Sequence, residues 1–106
     1  MTTLSEEFMK KVAELYKTKR AKLENLDPQT MEKFADKVLE LIHKEKKRSS
    51  ALHDLQILEY NMGTLKNYSV ALGEYKEDTD EYDFTKNDCK NLIDSTKKWL
   101  TLEKRL

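Results

Sequence analysis

The stretch from Ser50 to Lys76 constrains this chain more than any other. Ala51, Leu55, Leu58, Met62, Leu65, Ser69 and Leu72 recur at alternating gaps of four and three, the spacing that keeps one stripe of a helix turned toward a single neighbour. The spacing predicts a helix over 51–73. Gly73 is read as its C′ residue, and Gly63 lies inside it at a cost of up to about 1 kcal/mol relative to alanine. The stripe has two meanings. It is either the seam of a parallel homodimer or the inward face of a bundle, and the second is preferred because other segments of the chain also carry stripes that need cover. Leu52, Ile57, Tyr60, Tyr68 and Val70 lie off the seam. A helix apolar on several sides is central in its bundle or half covered by another chain, so these five are the candidate partner-binding residues.

The neighbouring segments read as shorter amphipathic helices. Thr3 and Glu6 have capping-box spacing and open a helix over 4–24, whose face is Leu4, Phe8, Val12, Leu15 and Leu23 with Met9 and Tyr16 on one flank. Lys19 falls in that face, with its stem covered and its ammonium reaching water. Asn25-Leu26-Asp27-Pro28 is the clearest punctuation, since Asp is a strong N-cap and Pro is pre-organised for the first helical position. The second helix, 28–48, carries Met31, Phe34, Ala35, Val38, Leu41 and Ile42 and forms an antiparallel hairpin with the first. Burial is expected to stop at Ile42, where His43 and the basic run begin. Ser49 and Ser50 end this helix and cap the next; a continuous bent helix from Pro28 to Lys76 is the competing reading.

The acidic stretch 74–84 has no apolar period and reads as a solvated loop. Thr85 and Asp88 then resemble a second capping box, with Phe84 stapled onto Cys89. The last helix, 86–105, shows Cys89, Leu92, Ile93, Thr96, Trp99 and Leu100 on one face. Two glycines and one proline in 106 residues leave little material for the turns of a sheet protein. The expected fold is a single all-α domain over 1–106: a three- to four-helix bundle with an antiparallel N-terminal hairpin and a long central third helix.

Charge and chemistry limit the function. Twenty basic and twenty acidic residues cancel, so no global field points to nucleic acid or an anionic membrane. Residues 1–50 hold twelve basic and nine acidic groups, and residues 51–106 hold eight and eleven. The single cysteine, Cys89, fits a reducing compartment. The charged amino terminus does not read as a signal peptide, and no apolar run approaches the roughly 20 residues of a membrane span. A cytoplasmic setting is expected, with nuclear or virion-associated ones compatible.

Two glycines cannot build a phosphate loop. Neither His43 nor His53 has a ligand partner at i+3 or i+4, so no metal is expected; no cofactor or catalytic residue is assigned. Asp78, Asp80, Glu81 and Asp83 invite a calcium reading, but an EF-hand starting at Asp78 would find Asp83 at its glycine position and Cys89 at its glutamate position. They are kept as a candidate acidic docking loop. Lys44, Lys46, Lys47 and Arg48 form a candidate basic patch, joined in a nucleic-acid reading by Lys19 and Arg20. A basic-zipper arrangement is rejected, because residues 37–48 contain no asparagine and one arginine.

The expected function is a non-enzymatic protein-interaction protein: a small adaptor, a regulatory or inhibitory subunit, or an assembly component acting by occlusion or bridging. Small phage or bacterial inhibitor and immunity proteins share this size and helicity, although no motif assigns a family. The alternatives are a nucleic-acid-associated protein using 44–48 and a homodimeric coiled-coil scaffold.

Overall fold

A computed structural model describes residues 4–106. It contains five helices, α1 (Glu6–Thr18), α2 (Arg20–Glu24), α3 (Pro28–Glu45), α4 (Leu52–Glu74) and α5 (Asp80–Leu102), and no strand among the described residues. The all-α bundle expected from the sequence is therefore present. One apolar cluster draws on all five helices, from Phe8 and Val12 of α1 through Leu23 of α2 to Ile93 and Leu100 of α5.

α4 is the central element, as its stripe required. Ala51, Leu55, Leu58, Met62, Leu65, Ser69 and Leu72 are all buried, between α3 on one side and α5 on the other. The seam is thus spent inside its own chain. α3 runs antiparallel to α4, as the ion pairs Lys46–Glu59 at 2.9 Å and Asp36–Lys66 at 2.7 Å fix. Ser69 keeps the α4–α5 interface thin: its hydroxyl donates to the Leu65 carbonyl at 2.6 Å, and its small volume leaves room for the fully buried Cys89.

α1 lies antiparallel on α3. The Tyr16 and Phe34 rings meet edge to face at 6.1 Å, the geometry their quadrupoles favour. At the far end Ser5 caps α1, its side chain accepting from the Phe8 N–H. Glu45 in turn grips the cap. Its carboxylate accepts from the Ser5 N–H at 2.6 Å and the Ser5 hydroxyl at 2.7 Å, and it is 99% shielded from solvent. A carboxylate suits the positive end of a helix, so one buried acid of α3 sets where α1 begins.

Several expectations are corrected. The first helix breaks at Lys19, which is exposed rather than covered. Thr18 donates its hydroxyl back to the Glu14 carbonyl at 2.7 Å, a bond that competes with the helix ladder and bends it. Tyr16 and Met9 are core residues, not flank. The Thr3 half of the proposed capping box lies outside the described residues. α3 ends at Glu45, so the continuous helix to Lys76 is not formed; burial continues past Ile42 to Glu45 because that acid has a partner. Ala51, without a side-chain bond, occupies the N-cap of α4 in place of Ser49 or Ser50. α4 ends at Glu74 with an extended Tyr75, and Gly73 is not left-handed.

The largest difference is at the acidic stretch. Thr79, not Thr85, is the N-cap of α5, accepting from the Tyr82 N–H. Asp80, Glu81 and Asp83 form the first turn, where negative charge is stabilised by the helix dipole. Phe84 consequently points outward at 72% exposure instead of stapling to Cys89. Two helices end in left-handed residues that are not glycine. Leu26 and Lys104 both have φ of 60°, and Asp27 N–H to Lys22 O and Arg105 N–H to Leu100 O close the two Schellman turns at 3.0 and 2.9 Å.

Candidate interaction surface

The antiparallel packing of α4 on α5 brings together one flank of each. Ser69 meets Cys89 in the interface, and Ile57 and Asn61 share a groove of about 210 Å³ with Ser95, Trp99 and Leu4, closed at one end by Asp54. At helical spacing Thr64 and Tyr68 continue the α4 flank, and Leu92 continues that of α5. Ile57, Asn61, Thr64 and Tyr68 on one side, and Leu92, Ser95 and Trp99 on the other, form seven positions without a charge. Charged residues make up 38% of the chain, so seven positions would ordinarily carry two or three. Asp54 and Asp88 bound this face at its ends. Interface cores are similarly depleted of charge and enriched in Trp and Tyr, with charged groups at the rim.

The five candidate partner residues are all exposed, but they do not form one surface. Ile57 and Tyr68 belong to the uncharged α4–α5 flank. Leu52 and Val70, five turns apart and therefore in line, lie on the opposite flank beside Glu59 and Lys66, whose charges reach α3. Tyr60, 74% exposed, points between the two and away from the bundle. Leu4, Leu92 and Trp99, which the periodicity places on inward faces, are only partly covered. Their place at the edges of the stripes was the available signal.

The basic run does not act as one patch. Lys46 pairs with Glu59, and Arg48 pairs with Glu7 at 2.7 Å. The hydrogen bonds from Arg48 and Lys11 hold the Glu7 carboxyl down to about 2. Lys44 instead faces a groove between α1 and α3 that also contains Lys19, while Arg20 pairs with Glu24. Glu24 is a junction of three elements. It accepts from the Tyr16 hydroxyl at 3.0 Å and pairs with Arg20 and Lys97 at 3.1 and 3.4 Å. The Tyr16 bond, with those from Arg20 and Lys97, lowers the Glu24 pKa, whereas burial and the carboxylate raise that of Tyr16.

Of the acidic candidates, Asp78 lies in the α4–α5 turn, and Asp80, Glu81 and Asp83 lie on α5. Among the described residues no cluster of His, Cys, Asp or Glu is arranged to hold a metal ion. Burial, opposed by the Ser69 hydroxyl, pushes the Cys89 thiol up to about 11, so it is not a thiolate at neutral pH. His43 and His53 are exposed. No helix among the described residues is long and apolar enough to cross a membrane. Comparison of the chain with protein-family models, curated proteins and solved structures returns no match.

Proposed function

We propose that this chain is a non-enzymatic protein-binding module that engages its partner through the α4–α5 face and acts by occlusion or bridging, in the manner of an adaptor or a regulatory or inhibitory subunit. The observation that carries this reading is the set of uncharged, partly apolar positions Ile57, Asn61, Thr64, Tyr68, Leu92, Ser95 and Trp99, which share one face in a chain otherwise rich in charge. Leaving that face in water gains nothing for folding, and covering it desolvates a Trp, an Ile and a Tyr at low electrostatic cost. The single buried cysteine suits a reducing, cytoplasmic setting. The nucleic-acid reading is weakened because Lys46, Arg48 and Arg20 spend their charge on internal pairs.

Affinity capture from the native host with mass spectrometry tests this directly when wild type is run beside Ile57→Lys/Tyr68→Lys and beside Leu52→Lys/Val70→Lys. A partner lost only with the first pair supports the α4–α5 face. Equal capture by all three forms would refute it.

A further inference from the structure

The hairpin of α1 and α3 carries a second surface of different chemistry. Lys11, Lys19, Lys37 and Lys44 line a groove of about 380 Å³ over Leu15 and Leu41. Past Lys19 and Lys37 it opens into a further hollow of about 350 Å³, where Lys22 and Lys33 are added over Phe34. Three carboxylates share these walls, Glu14, Glu40 and Asp27. Asp27 is engaged in capping through Thr30, Glu40 lies 3.8 Å from Lys37, and Lys11 pairs with Glu7 at 2.9 Å. Lys19, Lys33 and Lys44 have no carboxylate within ion-pair distance among the described residues. The groove is thus basic at its walls and apolar at its floor.

Its complement lies at the end of the molecule away from Lys44. The tip formed by the α4–α5 turn and the start of α5 holds Glu74, Glu77, Asp78, Asp80, Glu81 and Asp83 against one cation, Lys76. Tyr75 and Phe84 stand exposed among them, at 42% and 72%. The tip does not reach the hollow around Lys44 of its own chain. Gly73 sits against Pro28 at the start of α3, and Lys44 is sixteen residues further along that helix, about 24 Å at the α-helical rise.

We infer that the acidic tip of one copy docks in the α1–α3 groove of a second copy, with Phe84 or Tyr75 on the Leu15–Leu41 floor and the tip carboxylates against Lys11, Lys19, Lys37 and Lys44. The contact is head to tail, so each added copy leaves one groove and one tip free and association proceeds to short chains. A formal charge of zero removes the net repulsion that keeps like copies apart. An apolar floor flanked by cations matches an acidic segment bearing aromatic side chains; a phosphate backbone would make no use of it. This contact is separate from the α4–α5 face and independent of what that face binds.

Sedimentation equilibrium of the full chain at low and high salt tests the inference. At low salt the weight-average mass rises with concentration above the 12.6 kDa of one chain, and high salt returns it to that value, since exposed charges are screened within about 3 Å at 1 M. Lys37→Glu/Lys44→Glu and Glu77→Lys/Asp78→Lys each remain monomeric at low salt. Mixed together, they associate again, because the intact tip of the first variant meets the intact groove of the second. Circular dichroism confirms that both are folded, and Lys37→Gln/Lys44→Gln replaces the first if it is not. A wild-type mass that stays at one chain at low salt overturns the inference, as does association that persists in either variant or a mixture that fails to pair. Tight low-salt binding of a fluorescent DNA duplex by a wild type that does not self-associate would assign the groove to nucleic acid instead.

Discussion

Glu45 offers the sharpest test of how this bundle is held together. Its carboxylate is buried and accepts two hydrogen bonds from Ser5, at 2.6 Å from the backbone N–H and 2.7 Å from the hydroxyl. A hydrogen bond to a charged group contributes about 1.5–3 kcal/mol, and a buried donor left without a partner costs about 1–3 kcal/mol. Glu45→Ala removes both bonds and the acid from the start of α1, so a loss of about 3–4 kcal/mol is expected from the lower part of those ranges. Glu45→Gln keeps the shape and can still accept from the backbone N–H, and its expected loss is about half as large. Urea unfolding followed through Trp99 fluorescence and far-ultraviolet circular dichroism measures both, with Ser5→Ala completing a double-mutant cycle. The coupling between Ser5 and Glu45 should exceed about 1 kcal/mol. A Glu45→Ala loss below about 0.5 kcal/mol, the level of an ordinary surface change, would show that apolar contacts alone dock α1 on α3.

Gly63 lies inside α4, and a Cβ built there meets nothing within 4 Å; Gly63→Ala should therefore stabilise the protein by about 0.5–1 kcal/mol in the same urea assay, and a destabilisation would mean that another surface approaches that position. Cys89 should react with a thiol reagent at neutral pH on the order of a hundredfold more slowly in the native protein than in urea, whereas equal rates would contradict its enclosure between α4 and α5. The carboxyls of Glu6, Glu7, Glu24 and Asp27 are all held below their ordinary values, by Arg105, Arg48, Tyr16 and Thr30 respectively. A lowered folded-state pKa contributes stability that is present above the unfolded value and lost as pH falls through the folded one. Urea midpoints should accordingly fall as pH drops from about 4.5 toward about 2, the range set by Glu7, and a midpoint constant over that range would refute the assignment.

Periodicity made the α4 seam legible because a continuous stripe of apolar residues leaves few ways to be covered, and all seven of its positions are buried. Asp27-Pro28 was equally legible, since its capping chemistry is local: the Asp27 side chain accepts from the Thr30 N–H. Features that depend on a distant partner were not. Nothing near Glu45 in the chain announces Ser5, forty residues earlier. The acidic run 80–83 looked like a loop because its residues are polar, yet their charge is what favours them at the start of a helix. The interaction surface was half visible. Lying off the seam identified Ile57 and Tyr68 as exposed, but it also selected Leu52, Tyr60 and Val70; the direction each faces depends on where α3 and α5 sit. The seven uncharged positions become a surface only when the α4–α5 register aligns them.

Hydroxyl-radical footprinting of the complex with the captured partner addresses that surface most directly. Trp99 and Tyr68 are predicted to become protected on binding, while Tyr60, which projects from the same helix in another direction, is oxidised as in the free chain. Protection of Tyr60 with Trp99 and Tyr68 unchanged would place the partner elsewhere and contradict the α4–α5 assignment.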